Sequence, residues 1–208
     1  MQFSDIRTYC AMRFRDTGNV VVTDANWKLY ANTIYGEILT QFPFAPWREA
    51  VETVAQPANN RIIDLPAGAW QVVSVFDGTN QYPLVPLEGR DQAYQLYPDQ
   101  AAVGAAQHYR VFTNSVWLYP VPQDATSYVI EYLVGNDQMV ADSDTPMFPD
   151  PYHDLIVSGA VMLAYKDDGN LQMAAAYAKE YEDGLKILKQ EAGQPRTSRF
   201  YQIVDYEV

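Results

Sequence analysis

Tyr-Arg-Val-Phe-Thr-Asn (109–114), Val-Trp-Leu-Tyr-Pro-Val-Pro (116–122) and Ser-Tyr-Val-Ile-Glu-Tyr-Leu-Val (127–134) lead through an acidic, proline-marked segment into Leu155-Ile-Val-Ser-Gly-Ala-Val-Met-Leu-Ala-Tyr165. The first three pieces are short, rich in β-branched and aromatic side chains and bounded by turn residues, which predicts strands. The last is apolar nearly all round, as in a helix packed on several sides. Asp167-Asp168-Gly169-Asn170 breaks that helix. A second follows from Leu171 to Glu191, with Met173, Tyr177, Tyr181, Leu185 and Leu188 on one face and Lys179, Glu182, Lys186 and Lys189 outside. The run therefore reads as β-sheet, acidic linker, helical hairpin. The linker, from Asn136 to Asp154, carries Asp137, Asp142, Asp144, Asp150 and Asp154 with Pro146, Pro149 and Pro151. Its plain reading is a solvated connection with Asp154 as the N-cap of the following helix.

Toward the N-terminus the period is helical. Phe3, Ile6, Cys10 and Phe14 predict a helix from about Asp5 to Arg15, with Ser4 as cap and Asp16-Thr17-Gly18 as its end. Val20–Val22 reads as a brief extended link. Thr23 or Asp24 then caps a longer helix to about Phe42, with Trp27, Tyr30 or Ala31, Ile34 and Ile38 as its stripe and Pro43 and Pro46 as its stop. From Trp47 the period changes to two. Ala50–Gln56 and Arg61–Leu65 read as strands paired around Pro57-Ala58-Asn59-Asn60. Ala69–Phe76 leads through Asp77-Gly78 to Gln81–Val85 as a hairpin. Leu87–Asp99 reads either as a short helix or as a strap across the sheet, and Ala101–Ala106 as loop. The strands from 109 to 134 complete an antiparallel sheet folded over as a small sandwich or open barrel. The fold class is α+β. A helical bundle from residues 1–46 and 136–192 carries an inserted β-rich region, 47–135, and an extended C-terminal tail, 193–208.

With 26 acidic against 14 basic residues and a net charge of −12, the surface is unsuited to gripping nucleic acid, which takes clustered Lys and Arg. It remains suited to a surface that DNA passes without sticking. The 16 tyrosines among 208 residues favour half-buried surfaces and subunit interfaces. One cysteine permits no intrachain disulfide and suits a reducing compartment. The start, Met-Gln-Phe-Ser-Asp-Ile-Arg, lacks the features of a signal peptide, and no apolar run approaches the ~18 residues of a membrane span.

Candidate chemistry is sparse. His108 and His153, with a single cysteine, give zinc little support. No G-x-S-x-G, P-loop or G-x-G-x-x-G pattern occurs. Cys10 lies on an apolar helical stripe and reads as a packed thiol. Asp142 and Asp144 alternate as calcium ligands can, without the Gly and closing Glu of an EF-hand loop. A metal-assisted hydrolase built on the 137–154 carboxylates stays open as an alternative, but the residues point to no catalytic group and no cofactor.

The order of parts resembles the adaptor proteins of tailed bacteriophages, the head-tail connector or head-completion family. Four pieces carry the resemblance: the amphipathic helix followed by Trp47; Leu65-Pro66 leading to Val72–Phe76; Tyr109–Pro122 followed by Tyr128–Tyr132, similar to the family's L-x-P-x-P and Y-x-Y run; and the acidic loop before the Leu155–Leu188 hairpin. Gly104-Ala-Ala-Gln departs from the Gly-Pro that often precedes the strand at 109.

The resemblance implies a structural virion protein in the neck of a tailed phage, assembled in the host cytoplasm. It implies a homo-oligomeric ring, usually of about twelve copies, that extends the portal channel and receives tail or neck proteins. DNA would pass through without sequence-specific binding. Portal contact would fall to the tail, through Arg196, Arg199, Phe200, Tyr201, Ile203, Val204 and Tyr206, by an added strand or clasp. Tyr177, Tyr181, Trp117 and Tyr119 are the candidate contacts between subunits. Another neck or tail-tube ring protein of the same virion is the alternative within this reading.

Overall fold

The computed structural model describes residues 1–135 and 137–192, so the expected tail contacts at Arg196, Arg199, Phe200, Tyr201, Ile203, Val204 and Tyr206 lie outside the described residues. The fold is mixed α+β, with five α-helices and mostly antiparallel sheets among the described residues, none of the sheets closed. The chain forms two compact units: Met1–Pro46 with Gln138 onward, and Trp47–Asp137 between them.

In the first unit, α1 (Phe3–Phe14) starts two residues before its sequence signal, because Ser4 is not the cap. The Asp5 carboxylate accepts the Gln2 amide, and the next two amides donate to carbonyls of the acidic linker: Phe3 to Asp144 at 2.7 Å and Ser4 to Asp142 at 3.1 Å. These are the groups a helix start leaves without intrahelical partners. Val20–Val22 is not an extended link. Its three amides, at 2.7–2.9 Å, wrap around the buried carboxylate of Asp16. The Val22 amide above all, then those of Val20 and Val21, hold the Asp16 carboxyl below its ordinary value against the opposing pull of burial. A depressed folded value stabilises fully above the unfolded one and is lost as pH falls through it. Asp16→Ala is therefore expected to lower the melting temperature at neutral pH, the gap to the parent closing in acid below about pH 4. A gap independent of pH would assign the effect to packing.

Helix α2 (Asp24–Gln41) is capped by the Thr23 hydroxyl, which accepts the Asn26 amide. Trp27, Ala31, Ile34 and Ile38 are its buried stripe; Tyr30 turns partly outward instead of Ala31. Helix α4 (Asp154–Asp167) packs against α1, α2 and α5 (Leu171–Ala192), as expected of a segment apolar on every side. Its cap position is held by His153, with Asp154 as the first helical residue. The approach to α2 is close enough that a Cβ at Gly159 would meet three carbons of Ile34 at 2.7–2.9 Å. On α5 the buried face is Ala174, Tyr181, Leu185 and Leu188; Met173, expected in that stripe, is 37% exposed. Spacings of seven, four and three from Ala174 centre the stripe one residue later than the bulkier Met173 suggests.

In the second unit, β1 (Glu49–Gln56) and β2 (Ile62–Asp64) do not pair with each other. The buried amide of Gln56 donates to the Asn60 and Ile62 carbonyls, so the intervening turn carries the chain from one sheet to another. One sheet has the order β1-β10-β3-β4, with β3 (Ala69–Asp77), β4 (Tyr82–Pro83) and β10 (Thr126–Val134). The other is β2-β8-β7-β5, with β5 (Val85–Pro86), β7 (His108–Phe112) and β8 (Ser115–Tyr119). The strands between 109 and 134 thus divide among three sheets instead of completing one, Val121–Pro122 lying in a separate two-stranded sheet. The hairpin of β3 and β4 is present, its turn pinned by Asp77, whose carboxylate accepts the Thr79 and Asn80 amides. Leu87–Asp99 contains a short helix, α3 (Arg90–Leu96). The expected loop at 101–106 contains β6 (Val103–Gly104), which pairs in parallel with β9 (Val121–Pro122). Ile63, Val75, Tyr109, Val116, Leu118, Tyr128 and Ile130 form one buried cluster, so the inner faces of both sheets share a core.

Candidate interaction surfaces

The acidic linker is anchored at several points, while Asp137, Asp142 and Asp150 stay exposed to solvent. Arg7 pairs with Asp24 and with Asp142, joining α1, α2 and the linker. Asp144 accepts the Val140 and Ala141 amides. The Asn32 side chain brackets Met139, donating to its carbonyl at 3.0 Å and accepting its amide at 2.9 Å. Asp154 accepts both bonds of a fork from Arg13, whose other nitrogen donates to Glu180 and Ser158. Each carboxylate is drawn to a different partner, and no group of three or more His, Cys, Asp or Glu side chains placed to hold a metal is present among the described residues.

The remaining reactive groups are packed. Cys10 is fully buried with its sulfur 4.0 Å from the Val157 carbonyl, and burial pushes the thiol up to about 12, which keeps it protonated. His153 is buried with Nε2 2.7 Å from the Phe148 carbonyl, and burial holds the imidazole below its ordinary value. His108 lies 2.7 Å from the Tyr97 hydroxyl.

The four residues expected between subunits fall into two pairs. Tyr119 and Tyr181 are buried within their own units, 3% and 7% exposed, and burial raises the Tyr181 phenol to about 12. Tyr119 is covered by Leu87, Ala93 and Tyr97, with the Tyr97 ring stacked on it at 5.7 Å. Neither offers a free surface in this fold. Tyr177 and Trp117 are half-buried; Tyr177 stacks on Tyr165 at 5.7 Å.

Trp117 belongs to a larger arrangement that motif reading missed. The outer face of the second sheet carries Ile62 and Asp64 from β2, Ser115 and Trp117 from β8, and Arg110 and Phe112 from β7. Arg61 lies over the rings of Trp117 and Tyr119 at 4.8 and 4.9 Å, and Arg110 over Phe112 and Trp117 at 5.3 and 5.8 Å. Guanidinium groups over aromatic faces are attracted by the ring quadrupole and stay planar and ordered. Arg61 donates to the Gln100 carbonyl and side chain, whereas neither arginine has a carboxylate partner among the described residues. Phe112 is 52% and Ile62 40% exposed. A groove of about 530 Å³ lined by Leu87, Arg90, Arg110, Val111 and Phe112 adjoins this face.

Taken together, these features define a two-unit α+β protein that presents sheet faces to its surroundings. A family profile described as SU10 adaptor protein matches residues 1–202, and the chain belongs to that family. The family is one of bacteriophage structural adaptors, which implies a place in the virion among other head or tail proteins. No curated protein matches the sequence. No helix among the described residues is long and apolar enough to cross a membrane.

Proposed function

We propose that the chain is the adaptor that joins the capsid portal to the tail, copies of it forming a ring, of about twelve by the resemblance, that extends the DNA channel in the phage neck. The observation that carries this reading is the family match across residues 1–202. Charge supports it: a net −12 lets a channel wall repel phosphate, so DNA slides without being held. The helices of the first unit act as a bundle that forms the ring's body, and the second unit as a sandwich-like insertion. Arg196, Arg199, Phe200, Tyr201, Ile203, Val204 and Tyr206 then dock on the portal, main-chain hydrogen bonds giving the affinity. Tyr177 and Trp117, both half-buried, take the contacts between subunits.

Imaging by negative stain with light scattering, on the protein alone and mixed with its portal, tests the reading. A portal-dependent ring with a central hole is the expected result. Deleting residues 193–208 is expected to abolish co-assembly; unchanged co-assembly would remove the tail from the portal contact. A chain that ignores the portal altogether points to another neck or tail-tube position.

A further inference from the structure

We infer that the Arg61–Trp117–Arg110–Phe112 face of the second unit docks on the acidic outer face of the first sheet in the same unit of a second copy. The inference rests on the ring reading above and names the surfaces that would build it.

Three observations support it. The Arg-aromatic face is ordered by its own ring stacking, yet neither of its arginines has a carboxylate partner among the described residues, and α3 covers the Tyr119 end of it. Trp, Tyr and Arg in a partly dry setting are the side chains that dominate protein interfaces. The first sheet offers the complement. Its outer face has Val51 directly opposite Glu131, and Glu131 opposite Ser74, with Glu49 and Thr53 on the same side of β1. Val51 is 63% exposed, and neither Glu49 nor Glu131 has a cationic partner among the described residues. Finally, the two inner faces share one core, so the two outer faces look away from it on opposite sides of the unit. Contact between unlike faces is head-to-tail, and head-to-tail contacts generate rings when the rotation closes. In a chain of net charge −12, copies otherwise repel one another. A basic face meeting an acidic one fixes the direction of assembly and rejects the reverse one. Asp64, opposite Ser115 at the far edge of the basic face, sets the limit of the positive region.

Sedimentation of the full chain over a concentration series tests the surface. Wild type is expected to self-associate, less tightly as salt is raised. Arg110→Glu and Phe112→Ser are expected to weaken association about tenfold or more while leaving the far-UV spectrum and melting temperature in place. Glu131→Arg should do the same from the other side. An equimolar mixture of Arg110→Glu and Glu131→Arg should recover a heterodimer, which neither variant forms with itself. Association indifferent to Arg110→Glu would overturn the surface while leaving a ring built through another face. A wild type that stays monomeric at every concentration would also overturn it, the ring reading being judged separately on the portal. Binding of a single-stranded oligonucleotide that Arg110→Glu abolishes would reassign the face to nucleic acid.

Discussion

Gly159→Val is expected to lower the stability of the helical unit by roughly 3 kcal/mol, at the upper end of what overpacking a filled core costs. Helix α4 meets α2 with no room for a side chain: a bare Cβ would already stand 2.7–2.9 Å from three carbons of Ile34. Ile34 is itself fully buried, and two of the three carbons lie near its backbone, so it has little freedom to swing away. Gly159→Ala is the informative control. It gains about 1 kcal/mol of helix propensity while adding the same first carbon, so its loss should be much smaller. Urea unfolding of the two variants measures the difference. Equal stability of Gly159→Val and the parent would mean that the two helices can part without loss, and the close approach would carry no structural weight.

The second large effect concerns Ile130, at the middle of the strand shared by β1 and β3 and fully buried in the core common to both sheets. Ile130→Asp should destabilise the second unit by more than about 4 kcal/mol, since a carboxylate there has no partner and must be desolvated or protonated. Ile130→Val, which removes one methyl group, should lose only about 1 kcal/mol. Near-UV circular dichroism of the unit's aromatic side chains reports the loss. A native spectrum in Ile130→Asp would show that water reaches the strand, against its burial.

These two sites also mark how far the sequence could be read. Helices α2, α4 and α5 follow from local signals: the Thr23 cap, the all-apolar run from Leu155, and the stripe through Tyr181, Leu185 and Leu188. The hairpin of β3 and β4 follows from Asp77-Gly78. Strand partnership did not follow, because it is decided at long range. The alternation of Ala50–Gln56 fits any sheet, and only the fold sets it against Thr126–Tyr132 rather than its neighbour in sequence. The parallel pairs are two residues long, too short to leave a periodic trace. The anchoring of the linker stayed hidden for a similar reason. Asp142 and Asp144 are ordinary acidic loop residues until α1 supplies an arginine and two free amides to face them.

The basic face was half legible. Arg110 and Phe112, and Ser115, Trp117 and Tyr119, stand at the period of two that places them on one side of a hairpin. Arg61 arrives from the residue before β2, far away in sequence, so the stacking of two arginines on one tryptophan is visible only in three dimensions. Tyr119 shows the converse. Its sequence neighbourhood suggests an interface residue, and α3, read only as a helix or a strap, covers it.

The helical unit is assembled from both ends of the chain, with α4 at its centre and the whole second unit lying between the contributing segments. During synthesis, α1 and α2 leave the ribosome long before the helix that buries Trp27, Ile34 and Ile38. The sheet unit has all its strands by Val134 and can close first. A nascent chain halted before Asp154 would therefore show a folded insertion beside a greasy, waiting helix pair, a natural target for holdase chaperones.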